Sequence, residues 1–309
     1  MQLSFSWFYW SFRSLIKVIL RNITKLCELQ RICYYTLSGA RRSLQIEYSL
    51  QHSKQQYIKN VIKYMDKLSN RRKLRENITE ALQYSLILVL DCKEINPRIH
   101  TQFVKSFSRC VEHIWGYKQL IEEITVLAKI PYDAENKEHE SKLLDLWHLL
   151  RPDTPLRSRI SKQWQEIGFQ GIDPKTDFRG MGILGLENLL FFVREYNNQA
   201  IYVLQRSLHP TQGYAFAILG INITNMALNL LIDGSAKTHF YNISRRMPNI
   251  DIFHRFYCYL FLEFDKFWII SKPVNIMDFV SIRQNFENVI RKSLKDENCI
   301  FTINNIETI

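Results

Sequence analysis

Apolar residues return every three or four positions along almost the whole chain, and that single pattern confines it to helical architectures. Ile58, Val61, Ile62, Met65 and Leu68 follow it, with Lys59, Lys63 and Lys67 along another edge. Ile78, Ala81, Leu82, Leu86, Val89 and Leu90 repeat it, as do Leu143, Leu146, Trp147 and Leu150, then Leu186, Leu189, Leu190 and Val193. An aromatic stripe runs through Phe253, Phe256, Tyr257, Leu260, Phe264, Phe267 and Trp268. A last one takes in Ile276, Phe279, Val280, Phe286, Val289, Ile290 and Leu294. Each reads as a core-facing stripe. Strand-type alternation bounded by hairpin signals is hard to find; only Tyr214–Ile221 would suit a buried strand, and its continuation favours helix. The expectation is an all-α chain, with a soft boundary near Lys129–Asp133, where KIPYDAENKEHE is polar and interrupts helix.

Charge divides the chain unevenly. The net charge is +11, yet residues 1–75 alone hold 15 basic and 3 acidic side chains. The remainder is nearly neutral. The first twelve residues, MQLSFSWFYWSF, are uncharged, and Arg13, Lys17, Arg21 and Lys25 then follow at i, i+4 spacing, on one helical face. Twelve uncharged residues cannot span about 30 Å of hydrocarbon. An amphipathic helix lying on a membrane surface fits residues 1–26, against the plainer alternative of a packing helix with a solvated basic edge.

Ser207 to Ile232 is a second uncharged stretch, long enough to span. Asn222, Asn225 and Asn229 make a polar stripe along it, which a core helix accommodates better than a lone span in lipid. Six cysteines without CxxC or framework spacing read as reduced thiols of a cytosol-facing chain. No recognised nucleic-acid-binding fold accompanies the basic quarter, so nucleic acid is not an expected partner.

Catalytic motifs are absent: there is no HExxH, GxSxG or GxxxxGK[ST], and the eight histidines lack metal-ligand spacing. No metal or cofactor of the chain's own is expected. Gly180, Gly182 and Gly185 spell a literal GxGxxG, but a charged helical stretch and a proline turn precede it where a dinucleotide site needs a strand. The informative feature is the clustering itself. Five of the ten glycines, Gly168, Gly171, Gly180, Gly182 and Gly185, fall within 18 residues.

That window reads as a long ordered loop, Gly168 to Gly182, held between Trp164 and a helix starting near Leu184. Phe169 and Phe178 are its anchors, Pro174 stiffens its turn, and Gln170, Asp177 and Arg179 are its polar side chains. A guanidinium on a stiff loop, with little bulk beside it at Gly180, suits stabilisation of phosphoryl-transfer charge in a partner's pocket. The structural alternative is that Arg179 folds back to pair with Asp177 or to cap a helix carbonyl. For Gln170 the alternatives are a water-orienting group and a buried amide bonded to the loop backbone.

WQEIGFQG (Trp164–Gly171), Pro174, TDFRG (Thr176–Gly180), Gly182, Leu184 and Leu186 resemble the signature of the ELMO domain. The similarity extends to HPTQGYAFAILGINIT (His209–Thr224) and FHRFYCYLFLEFDKFW (Phe253–Trp268). CELQRI (Cys27–Ile32) and GYKQL (Gly116–Leu120) resemble the short class of ELMO domain-containing proteins. The resemblance implies an all-helical domain that activates small GTPases of the ADP-ribosylation factor and factor-like family. The arginine required for that activity falls on Arg179, as an arginine finger. GTP and Mg²⁺ would belong to the partner, and the chain itself would not be an enzyme. The competing reading is an adaptor that binds a GTPase or exchange factor without catalysis. The expected organisation is a basic helix over 1–26, a helical region over 27–128, an ELMO domain over 129–296 and a tail over 297–309. Such a protein would be cytoplasmic and peripheral to an endomembrane or mitochondrial surface.

Overall fold

The computed structural model describes residues 16–69 and 78–303. Among the described residues every regular element is helical, so the all-α expectation holds. Two compact units divide the chain: one reaches Lys118 and includes Ile243–Met247, the other comprises Gln119–Asn242 and continues from Pro248.

The first unit contains α1 (16–24), α2 (Glu28–Tyr35), α3 (Ala40–Gln51), α4 (Gln56–Ser69), α5 (Ile78–Cys92) and most of α6 (Thr101–Lys129). Helix α2 packs on α3, α3 on α4 and α4 on α5. Ile58, Val61, Ile62 and Met65 of α4 are all buried, so the stripe read there is a core face. The aromatic residues expected before Ile16 lie outside the described residues. In α1, Val18, Ile19 and Ile23 are exposed rather than packed inward.

In the second unit, α8 (Gly182–Glu195) packs against α7 (Lys137–Leu150), α9 (Asn197–Ser207), α10 (Phe216–Ile232) and α12 (Ile250–Ile270). Ile183, Leu184, Leu186, Leu189, Leu190, Phe192 and Val193 are all buried, which is why α8 is apolar around most of its circumference. Gly220 lets α10 approach: a Cβ there would lie 2.4 Å from Leu189 Cδ2 and 2.8 Å from Tyr257 Oη. A buried polar chain crosses the same contact. His254 Nδ1 meets Asn188 Oδ1 at 2.7 Å, and Asn188 Nδ2 donates to Thr224 Oγ1 at 3.0 Å.

Most of α10 is buried, as a core helix requires, and Asn222, Asn225 and Asn229 occupy its less buried edge. No single helix among the described residues is long and apolar enough to cross a membrane. The six cysteines are all free thiols.

One stripe departs from expectation. Ile276 lies in a 3-10 turn (Ile276–Asp278) before α13 (Phe279–Ser293) and is exposed, as are Val280 and Val289. Only Phe286, Ile290 and Leu294 of the larger apolar positions read there face the core, with Phe279 half-buried. Short apolar repeats at a helix start do not fix which side is covered, because tertiary packing decides that.

Burial holds the imidazoles of His239 and His254 near pKa 4, below the usual histidine value. The unfolded chain therefore binds more protons below about pH 6.5, and stability is expected to be retained above that pH and lost as pH falls toward 4. With both groups in the second unit the slope reaches about 3 kcal/mol per pH unit. Urea midpoints at pH 7.5, 6 and 5 check this; a flat profile would contradict it.

Candidate functional site

The loop between α7 and α8 is built from two 3-10 turns, Lys162–Ile167 and Pro174–Gly180. Ser161 caps the first by accepting from the Gln163 amide. Asp173 caps the second by accepting from the Lys175 amide at 2.9 Å, with Pro174 in the first turn, where its missing N–H is no loss. Tight 3-10 geometry keeps the segment short and its polar side chains outward.

A run of aromatic contacts fixes both ends. Trp147 and Trp164 meet edge to face at 5.5 Å, Trp164 and Phe169 at 5.8 Å, and Phe169 and Phe178 at 5.6 Å; Phe178 then stacks on Tyr132 at 5.3 Å. Each such pair adds about 0.5–1.5 kcal/mol beyond its buried area. The indole of Trp164 also donates to Arg159 O at 2.8 Å. All five rings are buried.

Two glycines are required by the backbone. Gly168 has φ +84° and lies so close to the start of α10 that a Cβ would sit 2.2 Å from Phe216 N. Its carbonyl accepts from Ile218 N at 3.2 Å, tying the loop to the first turn of that helix. Gly182 has φ +52°, and its Cβ would meet Ile130 O at 2.3 Å and Ala128 O at 2.7 Å. The neighbouring Ile183 amide donates to Ile130 O at 2.8 Å, so α8 begins against the end of α6.

Gly171 and Gly180 differ. A Cβ on Gly180 would meet nothing within 4 Å, and one on Gly171 only Asp173 N at 3.9 Å. Among the described residues nothing demands a glycine at position 180. Gly180→Ala is expected to leave the thermal unfolding midpoint unchanged or slightly raised, since alanine narrows the unfolded ensemble. A drop of several degrees would show an intramolecular need for glycine there.

Asp177 braces the loop: its Oδ2 accepts from the Gln170 amide at 3.0 Å. Burial pushes its carboxyl pKa up, against the lowering effects of that bond and of Arg179. The Gln170 side chain is exposed, so the buried-amide reading fails; the backbone carbonyl of Gln170 accepts from Gln165 Nε2 at 3.1 Å. Arg179 is exposed, and its Nε donates to Thr176 O at 2.9 Å. That bond is the carbonyl-capping contact considered for it, but it uses one donor of five. Among the described residues the terminal nitrogens of Arg179 make no hydrogen bond or ion pair.

A supporting cluster was not legible in the sequence. Arg159 donates to Glu140 Oε2 at 2.6 Å and to Asp173 Oδ1 at 2.9 Å, and its guanidinium lies 5.8 Å from the Tyr132 ring centroid. Tyr132 in turn donates to Glu140. Tyr132 falls in the polar stretch read as a soft boundary, yet it is buried beneath Phe178. Its one available signal was an aromatic residue amid polar neighbours. Among the described residues, no group of three or more His, Cys, Asp or Glu is placed to hold a metal ion. The GxGxxG spelling starts in a 3-10 turn and enters α8 with no strand before it.

An all-helical domain presenting Arg179 on a loop clamped at both ends is the class that this geometry defines. The profile of the ELMO/CED-12 family matches residues 122–283. The chain is 43% identical to ELMO domain-containing protein 1 of Mus musculus over 298 residues, covering 91% of this chain and 87% of that one. It is 44% identical to ELMO domain-containing protein 2 of Homo sapiens over 296 residues, covering 94% and 95%. With ELMO domain-containing protein B of Dictyostelium discoideum the identity is 35% over 278 residues, covering 90% and 93%. No solved structure matches the chain. The chain belongs to the ELMO/CED-12 family.

Proposed function

We propose that this protein activates GTP hydrolysis by a small GTPase of the ADP-ribosylation factor or factor-like family, with Arg179 as its arginine finger. The observation that carries this reading is the state of Arg179: exposed, tethered through Nε, and with both terminal nitrogens unengaged on a loop clamped by buried rings. Such a guanidinium is pre-oriented, so little conformational entropy is lost when it enters a partner's nucleotide pocket. There it would offset charge building between the β- and γ-phosphates, while GTP and Mg²⁺ stay with the partner.

The other loop residues have lesser roles in this reading. Asp177 holds the Gln170 backbone and shapes the approach. The exposed Gln170 side chain is within the same loop and is the candidate for orienting the attacking water. Gly180 keeps bulk away from the guanidinium where the partner would press. The protein would work from the cytoplasm, peripheral to an endomembrane or mitochondrial surface.

Single-turnover GTP hydrolysis across a panel of factor-like GTPases, with the wild-type chain and Arg179→Lys, tests the reading. Stimulation by the wild type alone supports it. Binding of a GTPase without faster hydrolysis would instead make the protein an adaptor.

A further inference from the structure

Among the described residues, five cations from four segments of the first unit converge on a cleft of about 450 Å³. Lys17 and Arg21 come from α1, Arg31 from α2, Lys54 from the turn between α3 and α4, and Lys93 from just beyond α5. Buried Leu29 and Ile58 form its apolar wall. Among the described residues the single acid that lines it, Glu28, is already engaged: its Oε2 accepts from Lys17 Nζ at 2.5 Å and from Ser49 Oγ at 2.9 Å. Arg31 is tied to Leu26 O at 2.6 Å.

Arg21, Lys54 and Lys93 are different. Among the described residues their side chains make no hydrogen bond or ion pair. Lys93 is half-buried, and burial, with a smaller contribution from the nearby Arg21 guanidinium, lowers its pKa against the raising effects of Cys27 and Glu28. Like charges gathered in a partly desolvated cleft repel one another unless an anion joins them. Spaced guanidinium and ammonium groups suit phosphate oxygens, the first as a fork and the second as point charges. The rim adds a second property. Val18 lines the cleft and is 57% exposed. An exposed apolar side chain beside a cationic cleft matches the boundary between lipid headgroups and acyl chains.

We propose that this cleft binds the phosphorylated headgroup of an anionic membrane lipid, with Arg21, Lys54 and Lys93 as the phosphate contacts. The site goes beyond the GTPase reading and does not depend on Arg179. It replaces a diffuse basic region with a defined pocket, and so predicts saturable binding.

The full chain is titrated calorimetrically with inositol 1,4,5-trisphosphate. In parallel it is floated with phosphatidylcholine vesicles, with and without a minor fraction of phosphatidylinositol 4-phosphate. The cleft variant is Lys54→Gln with Lys93→Gln. The control is Lys59→Gln with Lys63→Gln, which removes the same charge from the exposed edge of α4 outside the cleft. Expected is saturable binding of the soluble headgroup and phosphoinositide-dependent flotation. The cleft variant should weaken both by about tenfold or more and the control by less than about twofold. Arg21→Gln on α1 gives an independent variant should the Lys93 change impair folding. Equal losses in cleft and control variants, or no saturable binding, would overturn the proposal. Binding of the soluble headgroup without phosphoinositide-dependent flotation would overturn its assignment to a lipid.

Discussion

Arg179→Lys is expected to reduce stimulated GTP hydrolysis by about 10³-fold or more, without weakening the fold. The substitution keeps the positive charge, so any effect of charge alone would survive it. Three features of the arginine would be lost. Lysine has no Nε to bond Thr176 O, so the tether at 2.9 Å disappears. It has no planar pair of terminal amino groups to bridge two phosphate oxygens. Its flexible stem would also lose rotamer freedom on entering the pocket. In barrier terms the finger is worth about 4–7 kcal/mol, far more than a surface arginine contributes to stability. The same protein should still bind the GTP-loaded partner, and its urea midpoint should match wild type. Equal stimulation by the two proteins would sink the finger assignment.

Gly168→Ala carries the largest expected structural effect, a destabilisation of about 3 kcal/mol or more. Two causes add. The backbone has φ +84°, where a Cβ costs about 1–2 kcal/mol by itself. The new carbon would also sit 2.2 Å from Phe216 N, 2.7 Å from Ala215 C and 2.8 Å from Ala217 N, all backbone atoms that no rotamer change can move. Relief requires the loop to lift off α10, which breaks the Gly168 O to Ile218 N bond and separates Phe169 from Trp164. Urea unfolding measures the loss, and a stable variant that can be assayed should show weaker stimulation because Arg179 is no longer held. Gly180→Ala is the matched comparison, since it adds the same methyl to open space. Similar midpoints for the two variants would contradict the clamping of the loop.

Much of this molecule was legible in the order of its residues. The 3.6-residue period announced the helices because each must bury one stripe; α8 does so along every residue that carries it, α4 from Ile58 to Met65, and α12 along all but the half-buried Phe267. The signature around TDFRG pointed to the family, and Arg179 stood out as the arginine with little bulk beside it. The failures share a cause. The exposed side of the stripe around Ile276, the two of the five clustered glycines that the backbone requires, and the burial of Tyr132 all depend on what comes from elsewhere to cover them.

The sequence by itself determined the helical class, the family and the place of the arginine loop, because periodicity and local motifs are properties of neighbouring residues. Only the tertiary structure decided that Arg179 points outward with one donor tied, that Gly168 and Gly182 are demanded by the backbones of α10 and α6, and that Lys93 joins Arg21 across more than seventy residues of chain. Those outcomes turn on which groups are brought within a few ångströms of one another, and contact energies at that range cannot be read from spacing along a chain.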